Sequence, residues 1–125
     1  MKIRAASCAC GQLRLSCEGE PVSVSLCHCL ECQRRTGSTY GIAAFFPRSK
    51  ISISGVFSDY SRPSDSGYAV MHHFCPSCGS TVFWEPTRKP DVIAVAVGAF
   101  ADPAFPAPTK SVYREHRHPW VAAPE

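Results

Sequence analysis

The sequence predicts an all-β domain of short strands, and three observations lead to that prediction. Short segments alternate apolar and polar residues, which is the period of a half-buried strand. Eleven prolines and eight glycines interrupt the chain and leave little room for long helices. No segment has the apolar stripe of an amphipathic helix, and no internal repeat is present. We therefore expect roughly eight short antiparallel strands and few or no helices.

Each expected strand follows from its local pattern. Leu13, Leu15 and Cys17 alternate with polar residues, and β-branched residues alternate with alanine over 92–97. The remaining strands are expected over 22–26, 40–46, 51–53, 56–60, 68–74 and 81–85. A single helical turn is predicted over 33–37, ending at a glycine. Polar or proline-rich loops are predicted over 61–67 and 101–108.

Length and composition limit the classes of function. At 125 residues with 45% hydrophobic residues, we expect one domain over 1–125 with a real core. The net charge of +3 and the lack of a Lys/Arg run do not favour a nucleic-acid partner. No apolar run approaches the roughly 18 residues of a membrane helix, so no membrane partner is expected. Cysteine and glycine stand where a signal peptide would be apolar, so we expect a cytoplasmic protein.

Closely spaced cysteines are the strongest signal in the sequence. Seven of the eight fall in three clusters: Cys8 and Cys10; Cys27, Cys29 and Cys32; Cys75 and Cys78. Thiolates are soft ligands suited to zinc, and short spacings let one turn point several sulfurs at one ion. A disulfide scaffold is the alternative, but it suits a secreted protein and long-range pairs. We therefore expect bound zinc.

Seven clustered thiols exceed one tetrahedral shell, and the simplest division is four plus three. The first and third clusters would form a closed structural site of four sulfurs. The middle cluster, here called the triad, would hold a second zinc with one open position, which a closed site lacks. Spacing alone also allows mixed assignments, such as Cys32 with the third cluster.

Other candidate residues have ordinary structural interpretations beside functional ones. Cys17 is on the apolar side of its strand, which favours a core residue over a metal ligand. His28 lies between two ligand cysteines and is expected to point away from the metal. His72 and His73 are neighbours on one strand, so only one can face a given side and act in proton transfer. The remaining histidines lie in a basic, aromatic tail that could cover a site or be exposed: His116 and His118.

The spacing and flanking residues of the clusters resemble a known family. The resemblance rests on an ordered set of motifs: C-x-C-G, then C-H-C-x-x-C followed by basic residues and T-G, then F-C-x-x-C-G. With these motifs the chain resembles the glutathione-dependent formaldehyde-activating enzyme family, which is grouped with centromere protein V. The resemblance covers Cys8 to about Trp120. It implies a zinc-stapled β-tent fold, the same four-plus-three division, and two zinc ions per chain. It also implies that glutathione binds at the triad zinc and that Cys27, Cys29 and Cys32 carry the catalysis.

The chemistry of an open zinc site agrees with that resemblance. Zinc with an exchangeable position can bind an external thiol and lower its pKa, and the thiolate is the form that adds to an aldehyde. A fourth thiolate takes the centre to a net charge of about −2. Arg34 and Arg35 could offset this charge and attract glutathione carboxylates, or could simply be a solvated face of the helical turn.

Three functions are consistent with the sequence. The resemblance implies a zinc-dependent carbon–sulfur lyase acting on S-hydroxymethylglutathione or a related thiol adduct. The alternative is a non-catalytic zinc-stabilised β domain that binds a protein or chromatin partner. A transient zinc or redox store at the triad is a third. The fourth position at the triad distinguishes them, because an exchangeable thiol there favours the enzyme.

Overall fold

The computed structural model describes residues 2–64 and 66–124. In that part of the chain ten strands form two sheets, accompanied by one short α-helix and three 3₁₀ segments. The strands are β1 (Ile3–Ser7), β2 (Arg14–Glu18), β3 (Ser23–Cys27), β4 (Gly41–Pro47), β5 (Ile51–Ser54), β6 (Ser58–Arg62), β7 (Val70–Phe74), β8 (Thr81–Pro86), β9 (Val92–Ala96) and β10 (Lys110–Val112), and the helix is α1 (Leu30–Thr36). The predicted all-β class is confirmed.

The smaller sheet has the order β1-β2-β5, with antiparallel pairing throughout. In β2 the side chains of Leu15 and Cys17 are buried, while Arg14 and Ser16 are exposed. The alternation predicted from the sequence is therefore the observed one, and Cys17 is the core residue it was expected to be.

The larger sheet has the order β10-β3-β4-β9-β8-β7-β6. Its pairs are antiparallel except for β10, which runs parallel to β3 and places Val112 opposite Cys27. Strand β10 belongs to the C-terminal tail of the chain, which returns to pair with β3 after a long connection. A parallel pair requires such a crossover.

The larger sheet is apolar on both faces. One face packs against the smaller sheet and contributes Phe46, Phe83 and Val95 to the main core. The opposite face carries a second apolar cluster around Ala43 and Trp84. Because side chains alternate along β4, its continuous apolar run supplies both clusters. This second cluster lies beside the triad.

Helix α1 follows β3 closely, and capping residues at both ends set its boundaries. Cys29 is the N-cap, and its sulfur accepts from the Cys32 amide at 3.3 Å. Gly37 ends the helix with a φ of 69°, a left-handed conformation in which glycine is favoured. The predicted turn thus ends where expected but begins earlier and includes Cys32. Within the described residues, no helix has the length and apolar character needed to span a bilayer.

Candidate metal centres and the adjoining cavity

The first and third cysteine clusters come together in space. The ligand sulfurs of Cys8, Cys10, Cys75 and Cys78 all lie within 4.8 Å of one another. Cys10 Sγ is 3.6 Å from Cys8 Sγ and 3.7 Å from Cys75 Sγ. A zinc–sulfur bond of about 2.3 Å gives a tetrahedron whose edges are about 3.8 Å. The four sulfurs therefore fit tetrahedral zinc, and this group could hold one.

Polar groups around three of the four sulfurs, those of Cys8, Cys75 and Cys78, favour thiolates. The Leu13 amide donates to Cys8 Sγ at 3.3 Å, and Gln12 Nε2 donates to Cys75 Sγ at 3.0 Å. Hydrogen bonds from the side chain and backbone of Ser80 lower the pKa of Cys78 to about 5. Such donors stabilise the charged form of sulfur that binds metal. This shell of donors suits a permanently bound cation.

The triad forms a separate group of three sulfurs, also within 4.8 Å of one another. Cys27 ends β3, Cys29 caps α1 and Cys32 lies in the helix, so one strand-to-helix connection positions all of them. In the described part of the chain, no fourth His, Cys, Asp or Glu joins the group. The triad could therefore hold a zinc with three protein ligands and leave a position for another molecule.

The triad thiols have unequal acidities. Hydrogen bonds from Cys27 and Cys32 lower the pKa of Cys29, and the charge of Arg62 contributes in the same direction. Hydrogen bonding with Cys29 and Cys32 raises the pKa of Cys27. These surroundings therefore favour the ionised form at Cys29, the sulfur at the helix cap.

A cavity of about 230 Å³ opens beside the triad and is lined by all three of its cysteines. The second apolar cluster of the large sheet supplies its floor, with Ala43, Phe45, Val70 and Trp84 among the lining residues. Charged residues also line it: Glu31, Arg62, Arg88 and Lys89. The arrangement suits a molecule with a thiol at one end and negative charge elsewhere.

The two arginines singled out from the sequence lie outside this cavity's lining. Arg34 is 71% exposed and has its guanidinium 3.6 Å from the Glu31 carboxylate. Arg35 stacks over the Trp84 ring at 4.3 Å from its centroid. Both line an adjacent cavity of about 360 Å³, together with Arg62. Their contact with a bound thiol stays a prediction.

Sequence reasoning missed three cations that line the triad cavity, Arg62, Arg88 and Lys89, and Arg62 is the one with contacts to both cavities. It ends β6, lines both cavities, and its Nε donates to His72 Nε2 at 2.9 Å. In the sequence Arg62 lies in a segment predicted to be a polar loop, and only the pairing of β6 with β7 brings it to the cavity. A single arginine in such a segment carries no local signal of its spatial neighbours.

The neighbouring histidines His72 and His73 are both buried, and alternation along β7 directs them to opposite faces. His72 lines the adjacent cavity and packs against Trp84, with ring centroids 5.5 Å apart. Burial lowers its pKa to about 4, and the charges of Arg62 and Arg35 act in the same direction. His73 packs against Phe83 of the core and lies 2.6 Å from an Asp59 carboxylate oxygen. Of the two, only His72 is placed to act on the cavities.

The other histidines do not join either sulfur group. His28 is fully buried, and neither of its ring nitrogens has a hydrogen-bond partner within the described residues. The tail packs against α1 through Gln33, whose Nε2 donates to the carbonyls of His28 and His116 at 2.9 and 3.2 Å. Gln33 Oε1 is also 3.0 Å from His118 Nε2. The tail therefore contacts the triad helix through His116 and His118, while its residues Val112 and Tyr113 line the cavity.

The fold and the two sulfur groups define a class: an all-β protein with two cysteine clusters that could bind zinc and a cavity beside the cluster of three sulfurs. Residues 3–116 match the model of the family described as "Glutathione-dependent formaldehyde-activating enzyme". The chain belongs to that family, as its cysteine motifs predicted.

Two proteins illustrate the likeness to known sequences and structures. A Penicillium rubens protein named "Putative glutathione-dependent formaldehyde-activating enzyme" is 26% identical over 130 residues, covering 90% of this chain and 68% of that protein. The crystal structure of a Rhodobacter sphaeroides protein superposes with a TM-score of 0.64 at 20% identity, covering 86% of this chain and 98% of that one. The second likeness concerns the fold alone.

Proposed function

We propose that this chain is a zinc-dependent carbon–sulfur lyase that forms and cleaves adducts between a thiol and an aldehyde. Glutathione and formaldehyde are the proposed reactants, giving S-hydroxymethylglutathione, and family membership supports this choice. The observation that carries the proposal is the triad, which offers three sulfurs beside a cavity with cationic residues in its lining.

The two sulfur groups would have different roles. Cys8, Cys10, Cys75 and Cys78 would hold a structural zinc, and the triad would hold the second. A triad zinc, when bound, would supply a position at which an external thiol loses its proton near neutral pH. The division follows from four ligands closing a tetrahedron and three leaving it open.

The residues of the cavity would bind and orient the substrate. The apolar floor around Phe45 and Trp84 would exclude water from the reacting sulfur. Arg62, Arg88 and Lys89 would attract the carboxylates of glutathione. Arg34 and Arg35 would add positive potential from the adjacent cavity. Orientation by several weak contacts reduces the entropy lost in the reaction step.

The reaction itself balances without a further reactant. The thiol gives its proton to water, and its sulfur attacks the carbonyl carbon, so that a carbon–sulfur bond forms as the carbon–oxygen π bond breaks. The resulting alkoxide oxygen takes a proton back from water. The adduct therefore holds all the atoms of the thiol and the aldehyde. The reverse reaction breaks the same bond and returns both. Neither direction needs an oxidant or a reductant.

Thiol titration of the cobalt-substituted protein tests the proposal. Glutathione should change the thiolate-to-cobalt absorbance, whereas S-methylglutathione, which has no free thiol, should not. Nuclear magnetic resonance exchange between formaldehyde and its glutathione adduct should be faster with the zinc protein than without it. No binding at millimolar glutathione would favour the non-catalytic binding domain. Binding without faster exchange would mean that the aldehyde is a different one.

A further inference from the structure

We propose that Arg62 determines which thiols this site accepts, by binding a carboxylate of the substrate, and that His72 is a positioning residue that aims its guanidinium. The substrate class is then thiols that carry a carboxylate, in preference to neutral thiols. This inference rests on the proposed function, because it assumes that a thiol occupies the cavity beside the triad.

Arg62 is placed between the two cavities. It lies at the end of β6, is half-buried, and lines the triad cavity as well as the adjacent one. All three triad cysteines line the same cavity as Arg62. An anionic group on a thiol bound at the triad would therefore come within its reach.

The charge of Arg62 has no carboxylate partner among the described residues. Arg4, Arg34 and Arg48 each pair with a glutamate, at 2.9, 3.6 and 2.7 Å. Arg62 instead donates from Nε to His72 and from Nη1 to the Pro63 carbonyl at 3.1 Å. An arginine has five N–H donors, so three remain, including both on Nη2. These can bind a carboxylate through charge-assisted hydrogen bonds.

The hydrogen bond between His72 and Arg62 has only one possible direction. Arginine always donates, so Nε2 of His72 must accept, and the ring is neutral with its proton on Nδ1. The ring is 4% exposed and packs against Trp84, whose ring also lies beneath the Arg35 guanidinium. The Nδ1 atom has no hydrogen-bond partner in the described part of the chain. The imidazole is thus a fixed acceptor whose one hydrogen bond orients Arg62.

The test compares two thiols that differ only in the carboxylate, 3-mercaptopropionate and 3-mercaptopropionamide, titrated into cobalt-substituted protein. The wild type should bind the acid about tenfold more tightly, as one charge-assisted hydrogen bond allows. Arg62→Gln should remove most of that preference, because acid binding weakens far more than amide binding, while Arg88 and Lys89 of the same cavity keep a small remainder. Arg14→Gln makes the same charge change on the smaller sheet, outside the lining of the triad cavity, and should keep the preference.

Two variants test the positioning role. His72→Gln keeps an acceptor for Arg62 and should retain most of the preference for the acid. His72→Phe keeps the ring against Trp84 but removes the acceptor, and should weaken acid binding several-fold without changing amide binding. Should the phenylalanine variant fail to fold, His72→Leu removes the acceptor with a smaller side chain, and Arg62→Gln still tests carboxylate binding. Equal wild-type affinity for both thiols would overturn the inference and leave the proposed function standing, whereas binding of neither thiol would overturn both.

Discussion

The buried Cys17 and the seven clustered cysteines differ in chemistry because their surroundings differ. Cys17 is fully buried in the main core, and burial raises its pKa to about 11. The clustered cysteines instead meet other sulfurs and hydrogen-bond donors. The spacing of the clusters and the strand period around Cys17 were enough to separate the two kinds from sequence.

We expect Cys17→Ser to destabilise the fold without releasing metal. Placing a hydroxyl at this apolar position should reduce the free energy of unfolding by about 1–3 kcal/mol. Zinc content should equal that of the wild type, and Cys17→Ala should also retain it. Chemical denaturation and elemental analysis measure the two quantities. Loss of a zinc ion from either variant would contradict the assignment of Cys17 to the core.

Glu85 illustrates how a charge on the larger sheet is stabilised. Its carboxylate contacts His73 Nε2 at 2.5 Å and Arg48 Nη1 at 2.7 Å. Burial raises its pKa, but the hydrogen bonds from His73 and Arg48 outweigh burial, so the net pKa lies below the ordinary value of 4.5. The folded state therefore favours the ionised carboxylate.

Glu85→Gln should cost about 1 kcal/mol of stability at pH 7. A lowered pKa contributes stability above the unfolded value and loses it as the pH falls through the folded value. The difference between wild type and variant should therefore shrink below pH 4.5. Urea unfolding at several pH values measures it, with Glu18→Gln as the control. A difference independent of pH would show that the charge is not responsible.

At the scale of elements, the local pattern identified strands with one buried face, such as β2, and strands buried on both faces, such as β9. The predicted strand over 13–17 corresponds to β2, and the one over 92–97 to β9. Two strands were not predicted, β1 and β10. Strand β1 alternates in burial, but its buried side chains are Arg4 and Ala6 while Ile3 is exposed, so its residue types do not show the alternation. Strand β10 has three residues whose pairing with β3 depends on a distant segment. Pairing between remote segments leaves no local signal.

The turn at Gly55, between β5 and β6, lies against a residue that contacts the four-sulfur cluster. Gly55 has a φ of 100°, and a Cβ there would clash with the Gln12 carbonyl oxygen. Gln12 in turn exchanges hydrogen bonds with the Val56 backbone and donates to Cys75 Sγ. Close approach of two backbones is therefore required next to the proposed structural zinc.

Gly55→Ala should lower the free energy of unfolding by about 2–4 kcal/mol, because backbone strain and a steric clash add together. Gly19→Ala is the matched control: its φ is also positive, at 78°, but a Cβ there meets nothing within 4 Å. The control should cost about 1 kcal/mol, from strain alone. Thermal and urea unfolding compare the two. Equal losses would mean that the backbone contact at Gly55 relaxes without cost.

At the scale of the whole molecule, the sequence predicted the sulfur groups better than it predicted the cavity. Ligand spacing is local, and seven thiols divide naturally between two tetrahedra. The cavity depends on β6 pairing with β7, which brings Arg62 to the triad, and on Trp84 projecting from the outer face of the larger sheet. These are relations between distant segments. Arg34 and Arg35, chosen for their closeness in sequence to Cys32, instead line the adjacent cavity.

The two sulfur groups differ in how far apart their cysteines lie along the chain. The four-sulfur group joins the segment after β1 to the segment after β7, and so connects the two sheets. The triad comes from a single short connection between β3 and α1. Cross-linking distant segments restricts the unfolded chain more than closing a short loop. Metal bound at the four-sulfur group should therefore contribute more to folding.

We expect fully loaded protein to contain two zinc ions per chain by elemental analysis. Cys78→Ser should lose one zinc and destabilise the fold by on the order of 5 kcal/mol or more, since metal binding at a structural site is folding free energy. Cys27→Ser should also lose one zinc but cost only about 1–2 kcal/mol, while abolishing thiol binding at the triad. Unfolding curves and cobalt titrations of the two variants measure these effects. A single zinc in the wild type, or equal destabilisation by both substitutions, would refute separate structural and functional roles for the two groups.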